Sequence, residues 1–383
     1  MSSVFKQRRF RDFDWFLLLL AIAICLFGTW QIFNAQPEMT YWKKQLIGMG
    51  VSLAIMLVVA LTDYRKLVHI APAFYLFGLF LLIIVLIPGI GLKINGQRCW
   101  IGVPGLGQFQ PSEFVKIPTV LMLARYFGRP RGTMPLSWKE MLIGFGILML
   151  PVGLILLEPD AGQAITYFPL LAVVLFLSAV RMWLVVGALM AAILFVPAAW
   201  MVGVKTGAIK GYQQERIKVI LDPENADRRG FGYHTWQSIV TVGKGGTLGT
   251  LGTLGAASSS PNDAASQSRL KFLPEPHTDF IFAVAAESTG FIGTILLLIS
   301  YAVLLSRLIY NARRASDRTG MLVIMSIVGG FAFQIFINIG MALGMLPVIG
   351  VPLPLMSAGL SAVLATFVAI GFAISVRLRQ FVN

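Results

Sequence analysis

Charge is what this sequence has least of. Only 13% of its 383 residues are Asp, Glu, Lys or Arg, roughly half the share of about 25% that keeps a soluble domain's surface hydrated. That excludes an ordinary water-soluble domain. Acidic residues are the scarcer kind, 17 against 31 Lys and Arg, which leaves a formal net charge of +14. Cysteine is nearly absent, and Cys25 and Cys99 make neither a disulfide framework nor a metal-binding spacing. No small-residue cleavage pattern follows the first apolar run, so its basic prefix and the run itself read as a retained signal-anchor, not a removed signal peptide.

What fills the chain is apolar: 57% of residues are hydrophobic and the mean hydropathy is +0.78. Runs of roughly 17 or more such residues cross a hydrocarbon core of ~30 Å as helices. The expected fold is therefore an all-α polytopic integral membrane protein with about ten transmembrane helices. The spans are placed at 15–33, 46–62, 71–88, 112–127, 141–157, 161–180, 182–203, 280–305, 321–346 and 353–376. This divides the chain into an N-terminal tail (1–14), helices 1–7 (15–203), a large loop (204–278), helices 8–10 (279–376) and a C-terminal tail (377–383).

Lysine and arginine mark the cytoplasmic side of short loops. With the N-terminus inside, seventeen fall there: Lys6, Arg8, Arg9, Arg11, Arg65, Lys66, Arg125, Arg129, Arg131, Lys139, Arg181, Arg307, Arg313, Arg314, Arg318, Arg377 and Arg379. The short outer loops carry Lys43, Lys44, Lys93 and Arg98. Both termini are thus expected in the cytoplasm. The net positive charge is largely this asymmetry, which points to anionic lipid and away from nucleic acid.

The 204–278 loop is expected on the outer face. Its first part, ending GYHTWQS, mixes charged with aromatic residues and suits the membrane surface. Its middle, GGTLGTLGTLGAASSSPNDAAS, repeats TLG three times and is rich in Gly, Ser and Ala, a flexible composition.

Ionisable groups at membrane depth are costly and mark function by default. Three groups of them stand out. In FQPSEFVKIP (109–118), Pro111 suits a helix start, and Glu113 and Lys116 lie three apart on one face, as a local ion pair or as the lining of a polar cavity. In LEPDAGQAITYF (157–168), Glu158 and Asp160 form either a polar turn or part of a site. In FLPEPHTDFIFAVAAE (272–287), Glu275, His277 and Asp279 gather before a span. Thr278 or Asp279 suits the N-cap of a helix beginning at Phe280. The alternative is chemical: a half-desolvated carboxylate acts as a general base, or Asp279 and Glu287, two turns deeper on the same face, hold a divalent cation.

GQRCW (96–100), FQPSEFVKI, EPDAG, GYHTWQS, FLPEPHTDFIFAV and NIGMALGMLPVIGVPLPLMS (338–357) occur in the order found in the SEDS family of bacterial cell-wall proteins, which the chain resembles from about residue 12 to 376. The DFDW start and the proline before His277 favour its elongation branch over its division branch. The resemblance implies an inverting peptidoglycan glycosyltransferase at the outer face of the bacterial inner membrane. Such an enzyme joins lipid II into β-1,4 glycan strands for elongation and rod shape, and releases undecaprenyl pyrophosphate. The family's essential aspartate falls on Asp279, its cavity pair on Glu113 and Lys116, and its PD acidic residue on Asp160. A divalent cation, Mg or Mn, is implied at Asp279 with Glu287, and no organic cofactor. Arg216, Lys218, His234 and Arg98 are further candidates for diphosphate or sugar contacts. The implied partner is a class B penicillin-binding protein, a single-span transpeptidase within the elongation complex.

The chain departs from the family at Glu287-Ser288-Thr289-Gly290, where a second acidic residue is usual, at Ser357-Ala358-Gly359-Leu360-Ser361, and in a longer loop near 247–265. Two rival readings share this architecture. A lipid II flippase needs polar groups along a continuous path near the midplane, whereas here the acidic groups cluster at the outer ends of spans. A scaffold for a transpeptidase would make Asp279 dispensable.

Overall fold

The computed structural model describes residues 12–94, 97–103, 107–129, 136–178, 187, 190, 201–207, 211, 214, 232–249, 273 and 275–380. Within them the helical framework is as the hydropathy suggests. Apolar runs become α1 (Trp15–Ala35), α2 (Tyr41–Leu61) and α4 (Ala71–Leu86), with the single-turn-and-a-half α3 (Tyr64–His69) between the last two. There follow α5 (Pro111–Phe127), α6 (Trp138–Leu157), the broken pair α7 (Ala161–Ile165) and α8 (Phe168–Leu177), and α9 (Tyr233–Lys244). The chain closes with α10 (Ile281–Arg313), α11 (Arg318–Ala342) and α12 (Leu360–Leu378). Six of these helices are long and apolar enough to cross a membrane: α1, α2, α6, α10, α11 and α12. The span expected at 182–203 lies outside the described residues except at 187, 190 and 201–203.

Helix starts follow local chemistry. The Asp14 carboxylate accepts from Leu17 N, Ser137 and Glu140 form a reciprocal capping box, and Asp317 accepts from Gly320 N at 2.7 Å. Pro111 takes the first position of α5, where its missing N–H costs nothing.

The span expected at 161–180 is broken into α7 and α8, with Pro169 at the start of the second, and three further features were not expected. A small antiparallel sheet, β1 (Gly91–Ile94), β2 (Gln97–Val103) and β3 (Gly107–Phe109), in the order β1-β2-β3, lies between α4 and α5. The last span begins at Leu360 and not at 353, because the preceding residues up to Gly359 form a non-helical loop in which Pro352 and Pro354 cannot donate to a helix ladder. We call residues 346–359 the re-entrant loop. It is anchored by Tyr301, whose hydroxyl donates to the Pro354 carbonyl at 2.6 Å.

Third, α10 is broken. Gly290 has φ +66° and ψ −166°, far from helical values and open to glycine alone. The N–H groups freed by the break are taken up by the turn that follows α9: Phe291 N donates to Gly246 O at 2.9 Å and Ile292 N to Thr247 O at 3.2 Å. In a membrane such groups must find partners within the protein.

At the opposite end of the bundle, residues near both termini meet. The fully buried Asp14 carboxylate accepts from Arg307, from Arg377 Nη1 at 2.9 Å and from Asn311 Nδ2 at 2.7 Å. This brings residue 14 and residue 377 to the same end of the bundle.

Candidate functional site

The first two sequence clusters prove to be one network. Lys116 Nζ donates to Glu113 Oε2 at 3.0 Å, an i,i+3 pair on the first turns of α5 that is almost wholly buried. The other oxygen, Oε1, accepts from Gln163 Nε2 at 2.6 Å. Asp160 caps α7 through Oδ1, which accepts from Gln163 N at 3.0 Å, while its Oδ2 accepts from Gln110 Nε2 at 2.8 Å. Gln163 therefore bridges the two carboxylates and Gln110 adds a second bond to Asp160, so that Asp160 caps α7 and joins the network at once. Gln110 N also donates to Ser361 Oγ at 2.7 Å, which ties the network to the start of α12. Below it lies a cavity of about 40 Å³, lined by Glu113, Lys116, Thr166, Gln334 and Thr366 among apolar residues. That is room enough for water.

Desolvation sets the charges beside this network. Burial pushes the Asp160 carboxyl up to about 6 against the opposing hydrogen bonds from Gln163 and Gln110. Glu158 is pushed up to about 9, first by burial and then by the Asp160 charge. Neither oxygen of Glu158 has a hydrogen-bond partner among the described residues, and the residue is fully buried.

The third cluster corrects an expectation. Neither Thr278 nor Asp279 occupies the cap of α10: the helix begins at Ile281 and the cap position is Phe280, which has no side chain able to cap. The reason is a competing ladder. Three consecutive carbonyls, of His277, Thr278 and Asp279, each accept a hydrogen bond from elsewhere: Ala358 N at 2.8 Å, Ser357 Oγ at 2.7 Å and Asn338 Nδ2 at 2.9 Å. Asn338 Nδ2 also donates to Val351 O at 2.8 Å. The segment is thus fastened to the re-entrant loop and α11, one residue outside the helix.

The same ladder undoes the helix-face relation between Asp279 and Glu287. Glu287 lies inside α10 and is 1% exposed, whereas Asp279 precedes the helix and is half-buried. A divalent cation held by protein side chains needs several oxygen ligands. Among the described residues no three His, Cys, Asp or Glu side chains converge as a metal site, so Asp279 and Glu287 alone do not compose one.

The re-entrant loop joins the two halves. On one side it lies against Gly162, where an added methyl group would overlap the Ile349 carbonyl oxygen. On the other, a Cβ at Gly350 would stand 3.4 Å from Asp279 Oδ2. The Asp160–Gln163 turn and Asp279 therefore flank one short stretch of backbone.

His277 stacks on Tyr41, ring centroids 4.1 Å apart, and its Nε2 lies 3.8 Å from the exposed Glu275. Burial lowers the His277 pKa, an effect the Glu275 charge opposes. His234, on α9, sits with its ring centroid 6.4 Å from that of Phe280, beside Asp279 in sequence. Arg98 is placed elsewhere: it donates from β2 to Leu86 O at 3.3 Å, a structural contact at the foot of the sheet. Arg216 and Lys218 lie outside the described residues, as does most of the 247–265 loop. Gln110, Gln163, Asn338 and Gln97, whose Nε2 donates to Pro159 O at 2.9 Å, were not singled out from the sequence. Their signal was a carboxamide next to or inside an apolar run, since such a group also demands partners there.

Comparison with known proteins agrees with this fold. The FtsW/RodA/SpoVE family of cell cycle proteins matches residues 13–380. The peptidoglycan glycosyltransferase MrdB of Escherichia coli K12 is 34% identical over 365 residues, covering 95% of this chain and 93% of its own. A probable peptidoglycan glycosyltransferase FtsW of Trichlorobacter lovleyi is 32% identical over 380 residues, covering 97% and 94%. Among solved structures, a chain of a peptidoglycan synthase complex, described for its coordination of polymerization and crosslinking, superimposes with a TM-score of 0.80 at 30% identity, covering 97% of this chain and 99% of that one. With the motifs, the fold and the match over nearly its whole length in accord, this multi-pass membrane protein belongs to the FtsW/RodA/SpoVE family, the SEDS proteins.

Proposed function

We propose that this protein is an inverting peptidoglycan glycosyltransferase that polymerises lipid II at the outer face of the bacterial inner membrane, with Asp279 as general base. The acceptor sugar's 4-hydroxyl attacks C1 of the donor. Its proton passes to the Asp279 carboxylate as the C1–oxygen bond to the diphosphate breaks, and the bonding electrons leave with undecaprenyl pyrophosphate. A carboxylate suits the first task when it is partly desolvated and held within hydrogen-bond reach of the hydroxyl. The observation that carries the reading is the backbone ladder at 277–279, which fixes Asp279 while keeping it out of the helix cap.

Glu113, Lys116 and Asp160 lie on the other side of the re-entrant loop, and His234 lies by Phe280, the residue after the base. Charge on the departing diphosphate is to be met by basic side chains, for which Arg216 and Lys218 are the candidates. A divalent cation here would need ligands beyond Asp279 and Glu287, and no step above depends on it. An open apolar groove of about 550 Å³ between α8 and α11, lined by Phe168, Val173, Phe333 and Phe336 among others, suits a polyprenyl tail.

Transport fits less well. A flippase must pass a disaccharide-pentapeptide, and among the described residues the cavity beneath Glu113 and Lys116, about 40 Å³, is far below that size. For partner and pathway we take a class B penicillin-binding protein and the elongation role. The similar chain of a complex that joins polymerization to crosslinking supports the first, and the DFDW and PHTDF sequences support the second. The test is polymerisation of purified lipid II by the protein with such a partner: glycan ladders support the assignment, and lipid II translocation without polymer overturns it.

A further inference from the structure

The first turns of α2 do more than pack. Tyr41 lays its ring on the imidazole of His277, planes 15° apart. One turn on, on the same face, Gln45 is 3% exposed and turns both ends of its carboxamide to the re-entrant loop. Its Nε2 donates to Ser357 O at 3.2 Å, and its Oε1 accepts from Gly359 N at 3.3 Å. These contacts grip the 277–279 ladder from both sides: His277 directly, and Ser357, whose hydroxyl donates to Thr278 O at 2.7 Å. A leucine at 45 would serve helix packing equally, so the buried amide is there for the loop. The stack, in turn, is what orients the imidazole. His277 Nδ1 is buried with no hydrogen-bond partner among the described residues, and Glu275 at 3.8 Å is beyond hydrogen-bond reach of Nε2.

We propose that Tyr41 and Gln45 are positioning residues for glycosyl transfer: together they clamp His277 and Ser357, and through them fix where Asp279 stands. The proposal rests on the reading of Asp279 as the base. Proton removal requires the carboxylate within hydrogen-bond distance of the hydroxyl, and a misplacement of about 1 Å costs on the order of a hundredfold in rate. Because both residues act through the backbone of the site, their loss lowers kcat and leaves KM for lipid II nearly unchanged.

The experiment is steady-state lipid II polymerisation by the full chain with its transpeptidase partner, comparing wild type with Tyr41→Phe, Tyr41→Leu, Gln45→Leu and Asp279→Asn. Tyr41 is 37% exposed, so its replacement leaves the core intact. Expected are a kcat reduced about tenfold or more in Tyr41→Leu and Gln45→Leu with KM within about twofold, and near-wild-type turnover in Tyr41→Phe, which keeps the stack. The clamp is refuted if Tyr41→Leu and Gln45→Leu turn over like wild type, if Tyr41→Phe falls as far as Tyr41→Leu, or if the loss lies in KM, while Asp279→Asn stays inactive. Full activity in Asp279→Asn, or no polymerisation by wild type, overturns the clamp together with the function it rests on.

Discussion

Asn338 holds Asp279 by its backbone. A single side-chain nitrogen donates to the Asp279 carbonyl at 2.9 Å and to the Val351 carbonyl at 2.8 Å, joining the candidate base to the re-entrant loop from within α11. Replacing Asn338 with leucine keeps the volume and strands two carbonyls, each worth about 1–3 kcal/mol when buried without a partner. Asn338→Leu is expected to lower the melting temperature and to slow lipid II polymerisation. Asn338→Asp, which sets an acceptor against two carbonyl oxygens, is expected to do more damage. Thermal unfolding in detergent and the polymerisation assay check both.

Glu113 and Lys116 form an ion pair with side chains 4% and 11% exposed. Removing one partner of such a pair leaves a buried charge, at a cost of about 3–5 kcal/mol, whereas removing both is far milder. Lys116→Met is therefore expected to destabilise the protein strongly, and the double variant Glu113→Gln with Lys116→Met to recover much of the loss. The comparison of four melting temperatures decides it: an additive double variant contradicts the pairing.

Glu158 predicts a pH dependence. Its carboxyl is raised from the ordinary 4.5 to about 9 in the folded chain, so between those values the folded state keeps a proton that the unfolded state has released. Stability then falls as pH rises through that window. Asp160, raised from 3.8 to about 6, acts with the same sign over its own narrower range. Glu158→Gln removes the first contribution. Its melting temperature is expected to match wild type near pH 4.5 and to exceed it at about pH 8; equal curves at both ends contradict the account.

Gly162 is where the Asp160 turn touches the re-entrant loop. A methyl group there overlaps the Ile349 carbonyl oxygen, a backbone atom that cannot swing aside as a side chain would. Gly162→Ala is expected to cost about 1–3 kcal/mol in stability. It is also expected to lower polymerisation, because displaced Ile349–Gly350 backbone disturbs Asp279. A variant with full activity separates the turn from the base.

The helical framework was legible because the length of an apolar run maps directly onto a membrane crossing. So were the three acidic clusters, because charge is conspicuous in such a background. Their assembly was not. Gln45, Gln110, Gln163 and Asn338 carry no charge and pass unnoticed beside apolar neighbours, although they make the bonds that join the clusters. The re-entrant loop is itself apolar and so merges with the last span in hydropathy; Pro352 and Pro354 were the local warning. The cap expected at Thr278 or Asp279 failed for a tertiary reason, since three carbonyl hydrogen bonds from distant residues outweigh a local propensity. The small sheet had a short-range signal, Asn95-Gly96 between two β-prone stretches.

The measurement that tests the central claim most directly is lipid II polymerisation by wild type and Asp279→Asn. The cognate penicillin-binding protein would be present and disabled for any glycan synthesis of its own. The substitution keeps the size and one acceptor oxygen and removes the charge. Because Asp279 does not occupy the cap of α10, a loss of activity cannot be laid to helix capping. The expected result is a glycan ladder from wild type and none from a folded, partner-binding Asp279→Asn. A variant that polymerises like wild type would show that Asp279 is not the base.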